Sequence, residues 1–138
     1  MNKPIGYLLK QITDKIKISA DASFKEKNLT LAQARVLQYV MSKGGKTTQK
    51  SIEDHLDVSH PTVVGIVSRM EKSGYLVSHI DQEDKRNKIV EVTEQAAFIS
   101  HELEEDRMAQ EEKLLRGLTK EETEELYRIL CMIRQNVD

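Results

Sequence analysis

The chain has 138 residues, 38% hydrophobic and 32% charged, with two prolines, six glycines and a formal net charge of −2. That length suits one domain able to bury most of the surface its unfolded form exposes, and the composition excludes collagen-like, low-complexity and disulfide-stapled classes. One cysteine, Cys131, cannot close an intramolecular disulfide, and four histidines with it make no standard zinc ligand set.

In chain order, Pro4 suits the first turn of a helix, and Ile5, Leu8, Leu9, Ile12 and Ile16 recur along one helical stripe. The spacing predicts a long amphipathic helix ending before Asn28. Thr30 followed by Gln33 has capping-box spacing, and Ala34, Leu37, Val40 and Met41 continue as a second helix until Gly44 and Gly45 stop it. Thr48 opens a short third helix with Ile52 and Leu56 inward. After a turn at residues 57–59, Ser59 caps a fourth helix carrying Pro61 in its first turn.

At 100° per residue the fourth helix divides into a core side, Val63, Ile66, Val67 and Met70, and an outward side, Pro61, Val64, Gly65, Ser68 and Lys72. Gly74 ends it. Residues 75–80 and 88–92, rich in branched or aromatic side chains, read as two antiparallel strands around the polar loop 81–87. Thr93 caps a fifth helix reaching about residue 116, and Thr119 with Glu122 opens a sixth to about residue 135. The last helix has the stripe Leu126, Ile129, Leu130, Ile133 and Val137.

Charge is unevenly spread. Residues 1–27 carry six basic and three acidic groups, residues 43–93 eight of each, and residues 94–125 eleven acidic against four basic. Segregated acid leaves a neutral-to-basic remainder able to face a polyanion, although the same pattern also suits a solvated helix face. No apolar run approaches spanning length and residues 1–10 lack a secretory core, so a cytoplasmic protein with no membrane partner is expected.

Two short helices joined by a tight turn, the second with a small, polar outer face, match a helix-turn-helix, and the strand-loop-strand that follows makes it winged. The major groove is about 12 Å wide, so an entering helix must be slim, as Ser59, Pro61, Gly65 and Ser68 keep this one. Lys85 and Arg86 at the hairpin tip offer cations to phosphates or a minor groove, with Asp84 beside Arg86 to orient it.

At these residues the chain resembles the MarR-type winged-helix regulators. The matching stretches are 48–56 (TQKSIEDHL), 58–63 (VSHPTV), 69–76 (RMEKSGYL) and 84–93 (DKRNKIVEVT), the last similar to the family's wing motif. The resemblance implies an obligate homodimer formed by the first and last helices, bound to a pseudo-palindromic site and released by a small, often aromatic acid. Val64 and Gly65 depart from the polar or cationic groups common at those positions. Val64 instead suits a thymine methyl. Ala96 or Ala97 stands where a glycine follows the wing threonine, and Cys131 lies far from the amino-terminal cysteine of oxidation-sensing relatives.

The expected fold is α+β and mostly helical, a single winged-helix domain over residues 1–138 with six helices and a two-stranded wing. Residues 30–93 form its DNA-binding part, and residues 1–27 with 94–138 its dimerisation part. The DNA-binding residues are Thr48, Gln49, Ser59, His60, Pro61, Thr62, Val64, Gly65, Ser68, Arg69, Lys85 and Arg86. Thr48 and Gln49 act through the free N–H groups of a helix start, and Arg69 with Lys72 toward phosphate. The dimer interface takes Ile5, Leu8, Leu9, Ile12, Leu126, Ile129, Leu130 and Ile133.

His101 beside Glu102, and His79 near the wing, lack the second-ligand spacing of a metal site, so no metal and no cofactor is expected. No nucleophile triad, phosphate loop or HExxH occurs, which excludes the common enzyme signatures. Six aromatic residues give no stacking platform for RNA. The function expected is a homodimeric, sequence-specific transcriptional repressor relieved by a small aromatic or anionic effector. The alternative is a winged-helix protein-interaction module that does not bind DNA.

Overall fold

A computed structural model describes residues 2–138. The elements run α1 (Ile5–Glu26), α2 (Leu31–Ser42), β1 (Lys46–Thr48), α3 (Gln49–Leu56), α4 (His60–Lys72), β2 (Leu76–Ile80), β3 (Lys88–Val92), α5 (Glu94–Leu114) and α6 (Lys120–Asn136). The chain divides into two compact units, one extending through Asp106 and the other covering Arg107–Asp138. No helix among the described residues is long and apolar enough to cross a membrane.

Helix starts follow local chemistry. The Thr30 hydroxyl accepts from the Gln33 N–H while the Gln33 side chain accepts from the Thr30 N–H, and Thr119 with Glu122 repeats this reciprocal box. Thr48 and Ser59 cap α3 and α4 through the N–H groups of Ser51 and Thr62.

In the first unit α2, α3 and α4 enclose the core. Val36, Leu37 and Val40 of α2 meet Ile52 of α3 and Val63, Val67 and Met70 of α4, all fully buried. Every residue assigned by periodicity to the inner side of α4 is buried, as are Ile52 and Leu56. Removing such side chains from water is the main favourable contribution to folding.

The sheet corrects one expectation. It has three strands, in the order β1-β3-β2, rather than the two of a bare wing. β1 pairs antiparallel with β3, Thr47 opposite Val90, while Ser78 of β2 lies opposite Val90 on the other side. Gly45 makes this third strand possible. At φ 91° it takes a backbone conformation that L side chains rarely adopt, its carbonyl accepts from Val92 N at 2.9 Å, and an added Cβ would stand 3.3 Å from Val92 Cγ2. Three residues are too few for alternation to signal a strand, and the β-branched pair Thr47 and Thr48 was the only cue.

Thr93 joins the wing to its neighbours. Its Oγ1 donates to the Gly74 carbonyl at 2.7 Å and accepts from Ala96 N at 3.2 Å, so one hydroxyl ties the turn after α4 to the start of α5. A second clasp links α1 to α5. Asp106 accepts from the Ser23 hydroxyl at 2.5 Å and from the Lys27 ammonium at 3.2 Å, and the Lys27 carbonyl accepts from the Tyr75 hydroxyl. The Ser23 hydroxyl and Lys27 hold the Asp106 carboxyl below its ordinary range. Burial works to lower the Lys27 ammonium, but its bond to Asp106 and the charges of Asp106, Glu26 and Glu102 outweigh it and raise the group.

Neither α1 nor α6 contains a buried residue, although both carry apolar stripes. In the second unit an open cleft of about 490 Å³ lies between Leu115 and Leu118, and its rim mixes Glu112 and Glu124 with Arg116 and Lys120. That balance selects neither an anion nor a cation.

Candidate nucleic-acid interface

The connection from α3 to α4 is three residues long. Asp57 enters the left-handed region at φ 54°, which a short polar side chain tolerates, and its N–H reaches back to the Glu53 carbonyl at 2.9 Å. Ser59 then starts α4 at once. Side chains brace the bend on two sides. The Tyr39 ring of α2 stacks on His55 with centroids 4.1 Å apart, and its hydroxyl is hydrogen-bonded to Ser51. His60, the first residue of α4, is hydrogen-bonded through Nδ1 to the Glu53 carboxylate of α3.

The outward face of α4 is as small as expected. Ser59, His60, Pro61, Thr62, Val64 and Arg69 are exposed, and Gly65 and Ser68 are half-buried. An added Cβ at Gly65 would meet Arg69 Nη1 at 3.4 Å, so the arginine, one turn later, lies across the notch the glycine leaves. A flexible guanidinium there can swing outward toward a phosphate. Lys72 is exposed at the end of the helix.

The start of α3 is less open. Thr48 is half-buried with its hydroxyl engaged by the Ser51 N–H, and Gln49 is buried with its Oε1 lacking any partner. The Gln49 side chain therefore points away from solvent, and only the main-chain N–H groups of this turn remain to meet an anion.

The wing tip is built around one ion pair. Asp84 accepts from the Arg86 N–H at 3.1 Å, and its two carboxylate oxygens accept from Nε and Nη2 of the same arginine at 3.0 Å each. This fork fixes the plane of the guanidinium while leaving Nη1 free on a side chain that is 89% exposed. The same bonds hold the Asp84 carboxyl below its usual range and push the Arg86 guanidinium up. Lys85 is exposed beside it, and Asp81 N donates to the Asn87 carbonyl to close the loop. Along the hairpin, Glu71 of α4 accepts from the Ser78 hydroxyl in the middle of β2 and lies 3.5 Å from Lys88 Nζ at the start of β3, joining the helix to both wing strands.

The structure thus brings α4, the start of α3 and the wing into one unit. The residues that sequence reasoning missed are Glu53 and Tyr39. Glu53 lies seven positions before His60, across a turn, where no periodic rule pairs side chains. Of the residues expected at a dimer interface, Ile5, Leu8, Ile12, Ile129 and Leu130 are exposed and Leu9, Leu126 and Ile133 half-buried, with Cys131 half-buried among the last group. Among the described residues no cluster of three His, Cys, Asp or Glu side chains could hold a metal ion.

Residues 27–87, from the end of α1 through the wing loop, match the family model described as MarR family. Over 135 residues the chain is 30% identical to the uncharacterized HTH-type transcriptional regulator YwoH of Bacillus subtilis, covering 98% of this chain and 97% of that protein. Its fold is similar to that of a mutant of MepR from S. aureus, at a TM-score of 0.87 and 22% identity over 99% of this chain and 100% of that one. It is also similar to MepR in a complex with DNA, at a TM-score of 0.80 and 23% identity over 96% of this chain and 99% of that one. At such identities the two structures speak for the fold. The near full-length relative and the family match from the end of α1 through the wing loop go further, and the chain belongs to the MarR family of DNA-binding transcriptional regulators, which are non-catalytic.

Proposed function

We propose that the protein is a cytoplasmic homodimer that binds a pseudo-palindromic DNA site as a repressor and is released by a small aromatic or anionic effector. The observation that carries the DNA reading is the slim, exposed face of α4 beside a wing arginine held in plane by Asp84. In this reading residues 30–93 are the DNA-binding part. Ser59, His60, Pro61, Thr62, Val64, Gly65 and Ser68 face the major groove, Arg69 and Lys85 meet phosphates, and Arg86 reaches the adjacent backbone or minor groove. Thr48 and Gln49 contribute main-chain N–H groups. MepR, similar in fold, has been solved with DNA, which supports the same use of this fold here.

Residues 1–27 with 94–138 are the dimerisation part. The support is physical: Ile5, Leu8 and Ile12 on α1, and Ile129 and Leu130 on α6, are large apolar side chains left exposed in the single chain. Two-fold symmetry then sets half-sites about 10 base pairs apart, centre to centre. Val64, an exposed apolar group on the reading face, favours the second reading, a protein-interaction module.

Fluorescence anisotropy decides between them, using a duplex from upstream of the protein's own gene and a scrambled duplex over a salt series. Binding that weakens steeply with salt and prefers the native duplex by about a thousandfold supports the regulator. If a selection from genomic fragments also yields no preferred site, and the weak binding is indifferent to salt, the interaction module is the better account.

A further inference from the structure

His60 opens α4 with 67% of its side-chain surface exposed, yet its ring is tethered through Nδ1 to the Glu53 carboxylate, whose side chain is only 11% exposed. This bond is not needed to hold the two helices together, because Ile52 and Leu56 of α3 already pack with Val63, Ile66 and Val67 of α4 in the buried core. Its chemical effect is on the ring. A carboxylate offers only lone pairs, so Nδ1 must carry a proton, and in a neutral imidazole Nε2 is then a bare acceptor. Nε2 lies across the ring from Glu53, on an imidazole mostly open to solvent.

We propose that Glu53 is a positioning residue for base choice: by holding His60 in its Nδ1–H form, it makes Nε2 accept from an amino-bearing base edge, adenine N6 or cytosine N4, at one position of each half-site. Each base pair carries one such amino group in the major groove, so the contact selects which strand bears the amino base; guanine O6, thymine O4 and phosphate offer this nitrogen only acceptors. A ring free to turn or to move its proton to Nε2 would serve those partners instead, and the selectivity would go. This inference rests on the reading that α4 enters the major groove, and it adds a residue that itself touches no DNA.

The test uses the full chain at pH 8, with wild type, Glu53→Gln, Glu53→Ala and His60→Ala compared. Glu53→Gln is nearly isosteric and loses the obligatory acceptor, since its amide can also donate, so it guards against a variant that fails to fold. Imidazole ¹⁵N shifts of free wild type should give a protonated Nδ1 and an unprotonated Nε2, and both Glu53 variants should lose that fixed pattern. Selection from a pool of random duplexes should yield one position per half-site where His60→Ala lowers the base preference, and replacing the amino-bearing base of that pair with its analogue lacking the amino group, purine for adenine or pyrimidin-2-one for cytosine, should weaken wild type but not His60→Ala. In both Glu53 variants and in His60→Ala that preference should fall about fivefold, the value of roughly one hydrogen bond, with the other positions unchanged.

An Nε2–H ring in free wild type, unchanged wild-type affinity when the amino group is removed at the base pair His60→Ala affects, or an unaltered preference in Glu53→Gln overturns the proposal. In each of these cases the groove reading survives if wild type still selects a two-fold site. Failure of wild type to select any sequence overturns the groove reading and this proposal with it.

Discussion

Replacing Thr93 with valine keeps the side chain's shape and deletes the one hydroxyl that serves both Gly74 and Ala96. The Ala96 N–H loses its cap, which costs about 1 kcal/mol in proteins. The Gly74 carbonyl, part-buried and bonded at 2.7 Å in the native protein, loses its donor for about another 1 kcal/mol. The expected total is about 2 kcal/mol. For a chain of 138 residues the unfolding entropy is about 0.3 kcal/mol per kelvin, so Tm should fall by about 7 °C. Circular dichroism melts at one fixed protein concentration make the measurement, because self-association would otherwise shift Tm with concentration. Thr93→Ser, which keeps the hydroxyl, should stay within about 2 °C of wild type. A Thr93→Val protein that melts like wild type would refute the assignment, and a Thr93→Ser protein that falls as far as Thr93→Val would move the role to the methyl group.

Arg86→Ala should leave Tm unchanged, since the side chain is 89% exposed, while lowering DNA affinity about tenfold; equal affinity at moderate salt removes Arg86 from the interface. On the proposed dimerisation through α1 and α6, wild type should sediment as a dimer at micromolar concentration and Leu8→Glu or Ile129→Glu as a monomer; a monomeric wild type refutes the dimer, and a dimer that persists in both variants places the interface elsewhere. Gly65→Leu should fold, because the atoms nearest an added Cβ belong to the movable Arg69 guanidinium, but bind DNA at least tenfold more weakly by holding α4 off the groove; unchanged binding argues against groove entry.

The Asp106 clasp predicts an acid effect. Its folded pKa is depressed, so its stabilisation is complete above the ordinary 3.8 and is lost as pH falls through the lower folded value. The stability gap between wild type and Asp106→Asn, under about 1 kcal/mol for a carboxylate 47% exposed, should therefore close below about pH 4. A gap that persists at pH 2 would contradict it. Lys27 behaves oppositely: its raised pKa makes its contribution complete below 10.5 and lost as pH climbs above that value.

Helices were legible because their signals are local. Thr30, Ser59 and Thr119 act on N–H groups three residues away, and the inner side of α4 repeats every three or four positions, so neither needs a distant partner. The wing was legible for a similar reason. Asp84 and Arg86 are two residues apart, and their fork forms within one turn of chain.

The amino-acid sequence by itself determined six helices, a hairpin, the core side of α4 and the slimness of its outer side. Tertiary structure alone decided the rest, because the groups involved meet only after the chain has closed on itself. β1 exists because Gly45 brings Lys46–Thr48 beside β3, more than forty residues later. Gln49 turns inward although a helix start usually faces water, and Arg69 folds back over Gly65. The turn at residues 57–59 sets Glu53 against His60, and so gives the first residue of α4 a fixed ring that no spacing rule foretells.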